Sequence, residues 1–210
     1  MSSSALLETR DLSCNRNDRL LFEHLDFGLE PGQMLVVEGP NGCGKTSLLR
    51  ILTGLRLADG GEILWRGEPI DRLAGDYYEQ VTYVGHHDGV KHELSCLENL
   101  RLARAMGMPS TANLDDILEQ VNLYAYGETE VGSLSAGQKR RLALARLLAT
   151  DAMLWILDEP FTSLDKASMS MFASLFEKHL QRQGLIVMTS HHDISLPTLS
   201  VQHLQLGTQS

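Results

Sequence analysis

Gly39-Pro40-Asn41-Gly42-Cys43-Gly44-Lys45-Thr46 is the stretch on which the reading of this chain turns. Ahead of it, Gln33 to Glu38 predicts a buried strand. Behind it, Thr46 to Leu55 predicts a helix with apolar residues at Leu48, Leu49, Ile51, Leu52 and Leu55. The glycines at 39, 42 and 44 let the connecting backbone curl, so that successive N–H groups point inward at the positive end of the helix dipole, where a polyphosphate is favoured. Lys45 is placed to reach β- and γ-phosphates. Thr46 can offer its hydroxyl to Mg²⁺, which bridges two phosphate oxygens. With Pro40, Asn41, Cys43 and Ser47, these residues form the predicted phosphate loop.

A second apolar run, Met153-Leu154-Trp155-Ile156-Leu157, ends in Asp158-Glu159. The carboxyl end of a strand is where α/β sheets hold ligands. Asp158 is placed for the Mg²⁺ shell, and Glu159 to polarise a water attacking the γ-phosphorus in line. A solvated strand end would read the same way, so the pair alone does not decide between them. Between the two strands, Leu134-Ser135-Ala136-Gly137-Gln138 opens a helix. Ser135 is its N-cap, and Arg140, Arg141 and Arg146 are interleaved with Leu142, Leu144, Leu147 and Leu148. A second capped helix start is a second anion site, which suggests a nucleotide held from two sides.

These three segments, in this order, resemble an ATP-binding cassette (ABC) nucleotide-binding domain, and the resemblance covers nearly the whole chain. It implies an α/β fold of the P-loop NTPase kind with a β-rich arm and an α-helical insert. It also implies an ATP-hydrolysing subunit with ATP and Mg²⁺ as cofactors. The LSGGQ-type motif of one copy caps the ATP held by the phosphate loop of another, so the working unit is a dimer of two copies. Ser135, Gly137 and Gln138 would then meet the nucleotide in trans; Ala136 replaces the middle glycine of the motif. Ser163-Leu164-Asp165 matches the loop that crosses the dimer interface. His191, after the strand Leu185 to Met188, matches the switch histidine that orients the attacking water, and His192 remains an alternative.

Two departures from the pattern narrow the subfamily. The glutamine that usually follows the strand Val81 to Gly85, and that binds Mg²⁺ and senses the membrane partner, is here His86. The aromatic that usually stacks on adenine is missing from Cys14-Asn15-Arg16-Asn17-Asp18; Arg16 could cover the base, or simply be solvated. The stretch Val84-Gly85-His86-His87-Asp88-Gly89-Val90-Lys91, followed by Leu94-Ser95-Cys96-Leu97-Glu98-Asn99-Leu100, resembles the cassette ATPases of bacterial cytochrome c maturation, the CcmA family. That resemblance implies a CcmB-like integral membrane permease and further maturation proteins as partners. It implies a peripheral place on the cytoplasmic side of the inner membrane, and either haem export or release of a haem-loaded chaperone. An ATPase subunit serving another substrate and a different permease would share every catalytic residue. Ribosome-acting cassettes carry two cassettes and a charged linker, and a non-enzymatic binding module would leave Glu159 and His191 without a task.

Composition agrees. With 210 residues, 43% hydrophobic and 21% charged, one core of good size can form, and a single domain spanning 1–210 with a helical subdomain at about 88–150 is expected. The arm is expected in Leu6 to Leu29 and Ile63 to Val84. No apolar stretch approaches the ~20 residues needed to span a bilayer, and Met1-Ser2-Ser3-Ser4 lacks the basic start of a signal peptide. A net charge of −9 disfavours nucleic-acid partners and direct lipid insertion. Cys14, Cys43 and Cys96 are scattered without metal spacing, which implies a reducing compartment. The pairs His86-His87 and His191-His192 are not assigned to haem, because neighbours on a strand face opposite ways and both pairs fall where nucleotide-sensing residues are expected.

Overall fold

The computed structural model describes residues 5–190 and 201–207. The chain opens with a hairpin of β1 (Leu7–Arg16) and β2 (Arg19–Leu29), which turns through Asn17 and Asp18, both at positive φ. Strand β3 (Met34–Glu38) leads through the phosphate loop into α1 (Lys45–Leu52). Next come β4 (Gly60–Trp65), β5 (Glu68–Pro69), the single turns α2 (Ile70–Leu73) and α3 (Gly75–Tyr78), and β6 (Val81–Val84). The helices α4 (Cys96–Met106), α5 (Leu114–Gln120) and α6 (Ala136–Ala149) form the insert. Strand β7 (Leu154–Leu157), helix α7 (Lys166–Gln181), β8 (Leu185–Thr189) and β9 (Val201–Gln205) complete the described chain.

Two sheets result. The arm is antiparallel, in the order β2-β1-β4-β5; the central sheet is parallel, in the order β6-β7-β8-β3-β9. Parallel strands covered on both faces read as continuous apolar runs. Their alternate residues divide between two cores. Met34, Val36, Trp155, Leu157, Ile186 and Met188 join the insert and α7, whereas Leu35, Val37, Leu154, Ile156, Leu185 and Val187 pack with α1 and the arm. The assignment of Ile63 to Val84 to the arm needs one correction. Val81–Val84 pairs in parallel with β7 and forms an edge of the central sheet. Three of its four residues are half-buried, and the long-range pairing to residues 154–157 is what assigns it to the central sheet.

The Leu94-to-Leu100 stretch has a local physical explanation. Ser95 caps α4 in a reciprocal box with Glu98, and buried Asn99 receives a bond from the Lys91 amide while donating to the carbonyls of Lys91 and Ser95. The segment leading from His86 into the insert is therefore pinned at its far end.

On α7, the His179 ring stacks on Trp155 at 3.7 Å and 9° between planes, with Nε2 3.2 Å from the Met153 carbonyl. Burial pushes its pKa down to about 4. The unfolded chain, with an ordinary value near 6.5, therefore takes up this proton first, so the contribution is complete above about pH 6.5 and is lost as pH falls toward 4. The shift corresponds to about 3 kcal/mol at most. Thermal unfolding of the wild type should show this acid-side loss, and His179→Phe, which keeps a stacked ring, should lack it.

Candidate functional site

The site lies at the carboxyl edge of the central sheet, where the loops after β3, β6, β7 and β8 converge. Gly39, Gly42 and Gly44 take φ values of 141°, 81° and 111°, so the curl expected of the phosphate loop requires them. Gly39 also lies against the Leu206 carbonyl and the Cys43 sulfur, where a Cβ would collide. Cys43 itself is buried, its amide 3.3 Å from the Pro40 carbonyl, and its side chain packs against the loop. Gly44 caps α1 without a side-chain acceptor, whereas Ser95, Ser135 and Asp165 each cap their own helix with a side-chain oxygen. The first amides of α1 thus keep their donors for an anion. Lys45 folds over the loop, with Nζ 2.6 Å from the Gly39 carbonyl and 3.2 Å from that of Pro40.

Asp158 joins three elements. The Thr46 hydroxyl donates to its Oδ2 at 2.8 Å, and the Thr189 hydroxyl at the end of β8 donates to its Oδ1 at 2.7 Å. Thr189 Oγ1 in turn accepts the Glu159 amide at 2.8 Å. Residues 112 apart in sequence thus meet at one carboxylate, which is 3% exposed. Thr46 and Asp158 present hard oxygens side by side, the donor chemistry that Mg²⁺ takes together with phosphate oxygens and water. Glu159 sits at φ 48°, a left-handed conformation that costs a non-glycine residue about 1 kcal/mol or more and is held by its surroundings.

The other candidate residues are placed unequally. His86 Nδ1 lies 4.0 Å from Glu159 Oε2, so the loop after β6 does reach the acidic pair. His86 and His87 lie beyond the end of β6, with their rings edge-on at 5.6 Å, so the argument from alternation along a strand does not apply to them. Arg16 is exposed near the hairpin tip; Leu21 and Phe22 of the same hairpin approach Gly44. Ser135 is the N-cap expected, in a reciprocal box with Gln138. Gly137 lies where a Cβ would stand 3.0 Å from the Ser163 carbonyl, a requirement for small size that arises within one chain. Asp165 accepts the Ser168 amide at 2.7 Å to cap α7, and this bond holds its carboxyl below the usual range. Ser47 is buried in the first turn of α1. His191 and His192 lie outside the described residues.

The sequence model of the ABC transporter family matches residues 22–162. The chain belongs to the ABC transporter family. It is 43% identical over 207 residues to the cytochrome c biogenesis ATP-binding export protein CcmA of Nitrosomonas europaea, covering 96% of each chain. It is 47% identical to the protein of the same name from Methylococcus capsulatus, covering 92% of this chain and 95% of that one. Among solved structures, an ABC transporter ATP-binding protein from Pyrococcus furiosus superposes with a TM-score of 0.81 at 26% identity, over 94% and 96% of the two chains. The resemblance drawn from the three motifs, and the cassette fold it implied, are borne out.

Two residues of this cassette's site escaped the sequence reading. Thr189 reads in the sequence as a strand end, and a threonine closing an otherwise apolar strand is the available signal. Arg140 reads as one of several helix arginines, but its guanidinium is buried among the residues of the acidic loop. Thr189→Val keeps the shape and removes the hydroxyl that serves Asp158 and Glu159. It should cost about 1–3 kcal/mol in denaturant unfolding and lower ATP turnover at least about tenfold.

Proposed function

We propose that this cassette is the ATP-hydrolysing subunit of an ABC transporter complex for c-type cytochrome biogenesis. The observation that carries the hydrolytic part is the bonded series Thr46–Asp158–Thr189–Glu159 beside the uncapped start of α1. The cytochrome part rests on the names of relatives that match nearly end to end.

The residues divide the work. Backbone amides from Asn41 to Ser47 receive the phosphates, and Lys45 exchanges the Gly39 and Pro40 carbonyls for phosphate oxygens as ATP enters. Thr46 and Asp158 hold Mg²⁺, which when bound neutralises charge developing on the phosphates. Glu159 accepts a proton from the water lined up on the γ-phosphorus, and His191 orients that water. Ser135, Gly137 and Gln138 of a second copy close over the nucleotide, so binding shuts a dimer and hydrolysis reopens it. Asp165 lies in the loop facing that second copy, and Arg16 flanks the base.

The membrane partner in this reading is a CcmB-like permease, with the cassette on the cytoplasmic face of the bacterial inner membrane. Among the described residues no helix is long and apolar enough to cross a membrane, so attachment would rest on the partner. Leu55 and Leu57, 68% and 86% exposed after α1, offer it an apolar contact.

Purified protein should release phosphate from ATP, and Lys45→Ala and Glu159→Gln should each lose that activity. Glu159→Gln should also become a dimer in MgATP by light scattering, because binding without hydrolysis holds the closed form. A Glu159→Gln protein that stays monomeric at saturating MgATP would contradict the dimer mechanism. Co-purification from native membranes with a small permease and haem-handling proteins would support the cytochrome assignment, and a different permease would overturn it.

A further inference from the structure

We infer that Arg140 is a positioning residue that ties the partner-facing loop after β6 to the hydrolytic loop after β7. The inference rests on the reading of Glu159 as the group that polarises water.

The guanidinium is 3% exposed, and its donors are divided between two segments. Nη1 donates to the Gly85 carbonyl at 2.9 Å and to Asp88 Oδ1 at 3.2 Å. Nε donates to the Pro160 carbonyl at 3.0 Å, and Nη2 to the carbonyls of Asp158 at 3.0 Å and Glu159 at 2.7 Å. A planar fork holds its donors in fixed relation, so displacement of one set of acceptors is felt by the other. Burying such a charge is unfavourable unless its bonds are well made, so loss of either set leaves part of a buried charge without partners.

Glu159 stands at the receiving end. Its φ of 48° is held on one side by the Thr189 hydroxyl at its amide and on the other by Arg140 at its carbonyl. Release of the second anchor frees the backbone that aims the carboxylate. At the sending end, Arg146, six residues along the same helix, donates to the carbonyls of Asp88 at 3.2 Å and Gly89 at 3.3 Å. Helix α6 therefore grips residues 85–89 at two points and the hydrolytic loop at one. A shift of the 85–89 loop thus reaches the Glu159 backbone through the Arg140 side chain, beside the approach of His86 to the Glu159 carboxylate at 4.0 Å.

The test is a double-mutant cycle on Asp88→Ala, Arg140→Lys and the pair, with turnover, KM and affinity for a fluorescent ATP analogue measured alongside thermal unfolding. Lysine supplies one point of charge in place of the fork, so Arg140→Lys should lower kcat about tenfold or more with nucleotide affinity within about twofold. Asp88→Ala should lower kcat about threefold alone and have no further effect in the Arg140→Lys protein, since both act through one connection. Additive effects, or affinity falling in step with kcat, would overturn the inference. Should Arg140→Lys not fold, Asp88→Ala decides alone: reduced kcat at unchanged affinity supports the connection, and unchanged kcat overturns it. Glu159→Gln in the same series separates the two ideas, because parental turnover there rejects the role of Glu159 itself.

Discussion

The Asp158 carboxylate is the constraint on which the site depends. It accepts hydroxyls from the start of α1 and the end of β8 while sitting at the tip of β7, so three elements share one charge. A carboxylate removed from water needs such donors, because each oxygen left without one would forfeit the solvation it gave up. The strand order makes the arrangement possible. With β8 between β3 and β7, a side chain on β8 can bridge the loops that follow its two neighbours.

Much of this was readable in the sequence where the physics is local. The phosphate loop declares itself through glycines whose positive φ no other residue would adopt cheaply, and Ser135 with Gln138 declares a helix start through a box only three residues long. The apolar runs at 34–37, 154–157 and 185–188 are continuous because both faces of a parallel sheet are covered. Legibility ended where the determining contact is distant. β6 is half-buried at three of its four residues, and only its pairing with β7 assigns it to the central sheet.

Side-chain roles followed the same rule. Arg140, Arg141 and Arg146 look alike on one helix, yet Arg141 holds the carbonyls of Val121 and Asn122 inside the insert, whereas Arg140 reaches the acidic loop. Apart from the Arg140–Asp88 pair, their bonds are to backbone carbonyls, which every sequence supplies everywhere, so residue types elsewhere do little to mark the partner. Only the direction of each side chain around the helix separates them. Asp165 and Gly137 show the converse: residues suited to a contact with a second copy also satisfy demands within this one, as a helix cap and as a close neighbour of the Ser163 carbonyl.

Helix α6 concentrates these relations in one rigid body. Its first turn carries the Ser135 box that in the proposed dimer faces another copy's nucleotide, and its second turn carries the guanidinium that holds this copy's hydrolytic loop. Fourteen residues of continuous helix, with Leu142, Ala143, Leu144 and Ala145 fully buried, leave little freedom for one end to move without the other. Engagement of the first turn from outside therefore bears on Glu159 inside the same copy. In the proposed dimer the trans-facing cap and the cis-facing clamp stand two turns or less apart, so the connection between the two nucleotides is the helix itself.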